Sequence, residues 1–242
     1  MIIFDLGGVL LQEAEVNMAQ ALPADLDIER VNGRPPRIFY RTFEFVNLIF
    51  NKECKKDFFL GNLTGLEIVE KIKECIDKKE YDFFFKNSQE RTLIKYGSEL
   101  ILLPEKEASL TTLHQDGLDF VKRCKKNGAR ILILSNWQPE SFALIKKKFP
   151  ELFGLFDAKD IIIPALVGAI KPEPEIYIHM IKKLNLDVNR TFFIDDSAKN
   201  IAAAQACGIK GVVHRNWKQT EQELLLRGLK ITTSDSREVV AQ

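Results

Sequence analysis

The feature that most constrains the fold is the beginning of the chain, Met1–Leu10. Its four leading apolar residues run into Asp5 and then into Gly7 and Gly8, a pattern that predicts a short buried strand ending in a turn. A buried strand needs neighbouring strands, and comparable segments appear only from residue 129 onwards. Since ligands of open α/β sheets bind at the carboxyl ends of strands, Asp5 is either a chemical group or an ordinary turn-capping aspartate.

From about residue 117 the sequence alternates between helical and strand patterns. We predict strands at 129–134, 161–163, 191–194 and 210–213, and helices at 117–127, 139–148, from Pro172 (as the first helical residue) towards Leu184, and at 201–207. Such alternation is typical of βαβ units and a mostly parallel sheet. The sequence therefore predicts an α/β core made of residues 1–11 and 109–242, into which residues 12–108 are inserted as an α-helical cap.

The inserted segment has helical signals of its own. Apolar residues recur at helical spacing over 38–50, and Thr64 with Glu67 forms a capping box that predicts the start of a helix. The run 81–96 mixes aromatic and basic residues, which we interpret as a solvated helix face rather than a nucleic-acid surface. Pro104 is interpreted as the return to the core.

The overall composition excludes some classes of function. The chain has 35 basic and 34 acidic residues, a formal net charge of +1, so no strong field predicts a nucleic-acid or membrane partner. No apolar run approaches the roughly 18 residues of a membrane span. Four widely spaced cysteines predict reduced thiols, and we expect a soluble, cytoplasmic protein. No feature predicts an oligomeric state.

Polar residues collect where the predicted strands end. Asp5 follows the first strand, Ser135 and Asn136 the second, and Asp195 with Asp196 the fourth, with Asn200 close behind. Lys171 precedes a helix at the same edge of the sheet. Carboxylates packed together repel one another unless a cation neutralises them. Mg²⁺ suits such a site because it prefers oxygen ligands and phosphate.

Four segments occur in the order FDLGGVL, LILSN, GAIKPEPEIY and FFIDDSAKNIAAAQACG. Together they resemble the signature motifs of the haloacid dehalogenase-like (HAD) hydrolase superfamily. LSNWQPESF followed by a Lys-Pro helix is similar to its phosphatases with a helical cap, including those that resemble the N-terminal domain of epoxide hydrolases. The resemblance implies a Rossmann-like core and a Mg²⁺-dependent phosphatase that hydrolyses a small phosphorylated metabolite through an aspartyl-phosphate.

The resemblance also implies a role for each residue of the motifs. Asp5 would be the nucleophile, and Lys171 would neutralise both its charge and that of the phosphoryl group. The Ser135 hydroxyl and the Asn136 backbone N–H would hold phosphoryl oxygens. The implied Mg²⁺ ligands are Asp5, the Gly7 carbonyl and Asp196, with Asp195 in or just behind the first shell and Asn200 outside it.

Gly7 departs from the family pattern. Phosphatases of this superfamily usually carry a second aspartate there, as general acid and base, and glycine can donate no proton. Losing such a group typically costs about 10²- to 10⁴-fold in rate. Glu13, Glu15 or a cap residue could replace it. Two alternatives therefore stay open: a slow or inactive member that serves as a phosphate-responsive binding or regulatory module, and a carbon–halogen hydrolase, which is disfavoured because displacement at carbon needs no metal.

Overall fold

The computed structural model describes residues 1–12 and 37–230. Its core is a five-stranded parallel sheet with the spatial order β5-β4-β1-β6-β7. The strands are Ile2–Phe4 (β1), Ile131–Leu134 (β4), Ile161–Ile162 (β5), Phe192–Asp195 (β6) and Lys210–Val213 (β7). Every predicted strand is confirmed, with ends shifted by a residue or two. The parallel sheet confirms the Rossmann-like α/β fold.

β1 lies at the centre of this sheet. Ile2 is paired with Ile131 on one side and with Phe192 on the other. The strand is fully buried, as expected for a parallel sheet covered on both faces. Phe4 packs edge-on against Phe120, at 6.1 Å between ring centroids. The start of the chain is therefore held between two strands that follow it much later in sequence.

Five α-helices within residues 37–110 form the described part of the helical insertion. They are Arg37–Ile49 (α1), Lys52–Leu60 (α2), Gly65–Ile76 (α3), Ser88–Leu102 (α4) and Pro104–Leu110 (α5). The insertion has its own buried cluster, which includes Phe45, Ile72 and Ile94. At its base, Leu11–Gln12 (β2) pairs antiparallel with Thr112–Leu113 (β3). The division at residues 12 and 108 stays a prediction.

The structure confirms one of the local predictions for the insertion and differs from two others. The capping box exists: Glu67 N–H donates to Thr64 Oγ1 at 3.2 Å, and Thr64 N–H donates to the Glu67 carboxylate at 2.7 Å. The aromatic run is different from the predicted solvated face. Its rings at residues 81, 84 and 85 pack around Phe45, with centroid distances of 4.9 to 5.7 Å. Pro104 begins α5 instead of marking the return to the core.

The helices of the core follow the strands. They are Gln115–Lys126 (α6), Pro139–Lys148 (α7), Pro150–Phe153 (α8), Pro174–Leu184 (α9), Ala198–Ala206 (α10) and Trp217–Leu226 (α11). The predicted start of α9 at Pro172 was wrong. Glu173 is its extended N-cap, with φ −63° and ψ 131°, and Pro174 occupies the first turn. The reason is that Pro174 disfavours the α conformation for the residue before it, Glu173.

One expectation about composition can be compared with the structure. Over residues 1–12 and 37–230, no helix combines the length and the apolar character that crossing a membrane requires.

Candidate active site

The carboxyl edge of the sheet brings a buried lysine between two carboxylates. Asp5 follows β1, Asp195 ends β6, and Lys171 lies in the loop before α9. The Lys171 Nζ atom is 2.8 Å from an Asp5 oxygen and 2.7 Å from an Asp195 oxygen. The lysine side chain is 1% exposed, and those of Asp5 and Asp195 are 10% and 0% exposed. The structure thus joins three residues that the sequence analysis placed at one edge.

The second oxygen of Asp5 accepts two further hydrogen bonds. The Leu6 backbone N–H and the Ser135 hydroxyl each donate to it at 2.7 Å. Burial raises the pKa of Asp5 to about 7; attraction to Lys171 opposes this rise, and repulsion from Asp195 adds to it. The carboxylate is therefore poised between its two protonation states near neutral pH, and any further cation would favour the charged form.

Lys171 is charged despite its burial. Burial by itself lowers the pKa of this ammonium, but Asp5 and Asp195 outweigh that effect and raise its pKa above the ordinary value. Asp195 is held on its other sides by the Ser197 backbone N–H at 2.8 Å and by the Asn200 amide, at 3.0 and 3.1 Å from its two oxygens. Asn200 thus touches a carboxylate of the site directly.

The Asn136 side chain fixes the backbone of Lys171. Its amide nitrogen donates to the Lys171 carbonyl, and its oxygen accepts from the Lys171 N–H, both at 2.8 Å. Glu173 holds the same loop by accepting the Ile170 N–H at 3.1 Å. It also pairs with Lys56 of α2 at 2.7 Å, which joins the helical insertion to the loop that carries Lys171.

Sequence reasoning missed these supporting contacts. Glu173 lies inside the GAIKPEPEIY segment, so its position was a usable signal. For Asn136 the sequence predicted a role of the backbone N–H and none of the side-chain amide. Lys56 carried no signal, because its partner is distant in sequence and is reached only through the packing of α2.

Three carboxylates could hold a metal ion. Oxygens of Asp5, Asp195 and Asp196 lie within 4.8 Å of one another. Asp196 is the exposed member, and partial desolvation, followed by repulsion from Asp195, raises its pKa. Gly8, with φ 68°, lets the turn pass close to this group: a Cβ atom there would lie 2.6 Å from an Asp196 oxygen. Hard oxygen donors of this kind suit Mg²⁺.

The family profile of haloacid dehalogenase-like hydrolases matches residues 1–208. The chain therefore belongs to this hydrolase family, and the family resemblance of the four segments is confirmed. The motif residues Asp5, Ser135, Lys171 and Asp195 all fall within the matched range.

Two curated relatives share part of this chain. The sesquiterpene phosphatase astK of Aspergillus oryzae is 32% identical over 92 residues, which are 38% of this chain and 45% of the relative. The bifunctional epoxide hydrolase 2 of Rattus norvegicus is 29% identical over 102 residues, 41% of this chain and 18% of the relative. In each case the match spans less than half of the relative's length.

Solved structures share the fold at low sequence identity. A HAD family enzyme of Bacteroides thetaiotaomicron, solved in complex with magnesium and inorganic phosphate, superposes with a TM-score of 0.52 at 21% identity, covering 90% of this chain and 96% of that one. A predicted HAD-like family hydrolase of Porphyromonas gingivalis gives 0.54 at 22% identity, covering 93% and 96%. These matches extend across the helical insertion as well as the sheet.

Proposed function

We propose that this hydrolase is a Mg²⁺-dependent phosphatase that hydrolyses a small phosphorylated metabolite through an aspartyl-phosphate on Asp5. The observation that carries the proposal is the Asp5 carboxylate, held 2.8 Å from Lys171 and 2.7 Å from Ser135 at the sheet edge. A nucleophile, a cation and a hydroxyl donor in contact are the parts that phosphoryl transfer through a covalent intermediate needs. The similarity to a sesquiterpene phosphatase supports the same class of reaction.

The proposed reaction has two displacements at phosphorus. In the first, an Asp5 oxygen attacks phosphorus, and the bond from phosphorus to the ester oxygen breaks. Lys171 neutralises negative charge on the carboxylate and on the phosphoryl group, while the Ser135 hydroxyl and the Asn136 backbone N–H hold phosphoryl oxygens. In the second, water attacks the same phosphorus and the bond from phosphorus to the Asp5 oxygen breaks, which releases inorganic phosphate and restores the Asp5 carboxylate.

The three carboxylates suit Mg²⁺, and we propose different roles for them. Asp195 is 0% exposed, whereas Asp5 is 10% exposed and Asp196 lies at the surface, so we place Asp195 just behind the ligands, with Asn200 orienting it. Asp5, Asp196 and the Gly7 carbonyl would hold the ion directly. When bound, the ion supplies charge neutralisation for the phosphoryl group.

Gly7 sets the expected limit on activity. Without an acid at this position, the leaving oxygen must take its proton from water, and the attacking water must lose its proton to solvent. Turnover should therefore be slowest for alkyl phosphates and fastest for aryl, acyl or anomeric phosphates, whose leaving groups need little protonation. Glu13 and Glu15, the candidate replacements, lie outside the described residues. Gly7 also favours the second candidate function, a slow or inactive phosphate-responsive binding module.

A panel of phosphorylated metabolites and 4-nitrophenyl phosphate, assayed with Mg²⁺ and with chelator, tests the proposal. We expect Mg²⁺-dependent release of phosphate that is abolished in Asp5→Asn and retained in the matched control Asp116→Asn, an exposed aspartate on α6. Silence across the panel, combined with phosphate binding to the folded protein, would favour the binding module instead.

A further inference from the structure

The proposed chemistry assigns no role to a large cavity in the described part of the chain. Its volume is about 400 Å³, and it lies between α1, α2 and α3 of the insertion and the segment that follows β4. The side chains along it are mainly aromatic or aliphatic, among them Phe50, Phe58, Phe59 and Ile68. Cavities of a few hundred cubic ångströms with apolar walls are typical of sites for small organic molecules.

Helix α2 contributes an apolar face that is only partly buried in the described part of the chain. The helix is well capped, since Asn51 accepts the Cys54 N–H and Gly61 closes its end with φ 81°, yet none of its residues is fully buried. Phe58 and Phe59 are half-buried and line the cavity. Phe58 also packs against the buried cluster of the insertion. The parts of both rings that line the cavity face space that a ligand can fill.

The cavity adjoins the proposed phosphoryl site at Asn136. Asn136 lines it and also grips the Lys171 backbone at 2.8 Å, and it directly follows Ser135, whose hydroxyl bonds Asp5. The ion pair between Lys56 and Glu173 holds α2 beside the same loop. A phosphate at Lys171 would therefore have its organic group directed towards the cavity.

The polar groups around the cavity argue for an apolar occupant. Asn47 bonds Lys55, and the Gln138 oxygen accepts the N–H groups of Glu140 and Ser141. Asn136 is bonded to Lys171 in the same way. Four of the five polar side chains that line the cavity thus have protein partners, and Glu107 is the fifth, which leaves little to bind the hydroxyls of a sugar. Trp137 also lines the cavity and is 4% exposed.

We propose that this cavity binds the organic group of the substrate, and that the substrate is the monophosphate of a largely hydrocarbon alcohol or phenol. The proposal rests on the phosphatase function proposed above. Sugar phosphates should be poor substrates, because their hydroxyls would lose water without gaining partners.

Phenyl phosphates that carry para-alkyl chains of increasing length test this directly. The leaving phenol changes little along the series, so the chemical step is constant while the buried hydrocarbon grows. We expect kcat/KM to rise about threefold to fourfold for each added methylene until the cavity is full. Phe59→Ser should flatten this rise, whereas Phe83→Ser, at a 76% exposed phenylalanine outside the cavity, should leave it unchanged.

The outcomes separate this proposal from the proposed function. Turnover that is equal along the series, or a sugar phosphate preferred over the longest ester, would overturn the cavity assignment and leave the phosphatase standing. If no ester is hydrolysed, calorimetric titration of the wild-type protein with alkylphosphonates of increasing length decides. Affinity that rises with length would support the cavity and reject the phosphatase, and affinity independent of length would reject the cavity too.

Discussion

The substitution Lys171→Met removes the cation that two buried carboxylates share. Its Nζ lies 2.8 Å from Asp5 and 2.7 Å from Asp195, and all three side chains are at most 10% exposed. Removing one partner of a buried ion pair typically destabilises a protein by about 3–5 kcal/mol. We expect a loss of free energy of unfolding in this range at pH 8.5 in the absence of Mg²⁺.

The loss should shrink as the pH falls. With Lys171 in place the pKa of Asp5 is about 7, and without the lysine it must rise further. At acidic pH both proteins fold with a neutral Asp5. Above pH 7 only the variant must take up a proton on Asp5 when it folds. The difference in free energy of unfolding between the two proteins therefore widens by up to about 1.4 kcal/mol per pH unit.

Urea unfolding at pH 6 and pH 8.5, in chelator, measures both effects. The exposed Lys147 provides the control, since Lys147→Met should change stability by no more than about 0.5 kcal/mol. A loss below about 1 kcal/mol at pH 8.5, or a gap that does not widen with pH, would refute the reasoning that Lys171 neutralises the pair.

Further predictions concern the metal, the missing acid and a buried histidine. At a hundred times its Kd, Mg²⁺ should stabilise the fold by about 2.7 kcal/mol, or about 5–11 °C in a thermal melt. Asp196→Ala should abolish this shift while raising the melting point in chelator. An unchanged shift in the variant would show that Asp196 is not a ligand. Gly7→Asp should speed turnover of alkyl phosphates more than of aryl phosphates if the variant folds; a melt verifies folding, and an equal effect on both classes would argue against a missing acid. Burial lowers the pKa of His214 to about 4, so the unfolded chain takes up its proton first, and stability should fall by about 3 kcal/mol between pH 6.5 and pH 4. His214→Gln should flatten that part of a pH titration of urea midpoints, and an unaltered slope would show that other groups cause it.

Most site residues at the sheet edge could be predicted because each directly follows a strand that is recognisable in the sequence. Asp5, Ser135 and Asp195 each follow a run of buried residues, and parallel strands bring their carboxyl ends to one edge. The order of the motifs then placed Lys171 beside them. The start of α9 was misjudged because Pro172 also suits a first turn, whereas Pro174 keeps the preceding Glu173 extended and so delays the helix by two residues.

The supporting contacts could not be predicted because they depend on how the insertion packs. Lys56 and Glu173 are paired across the boundary between the helical insertion and the core. The aromatic residues that surround Phe45 looked like a surface stripe in sequence, since their partner lies on a different helix. The cavity beside Trp137 has the same origin: α2 has an ordinary amphipathic sequence, and its partly buried face is visible only in three dimensions.

The central claim, that Asp5 is the nucleophile, is tested most directly by trapping its phosphorylated form. With 4-nitrophenyl phosphate and Mg²⁺, departure of the phenol needs little protonation, whereas hydrolysis of the intermediate lacks a base at Gly7. The adduct should therefore accumulate. Rapid acid quench followed by intact mass and peptide mapping should show one phosphoryl group on Asp5 in the wild-type protein and none in Asp5→Asn. Phosphate release that continues in Asp5→Asn, with no adduct on Asp5 in the wild type, would contradict the account.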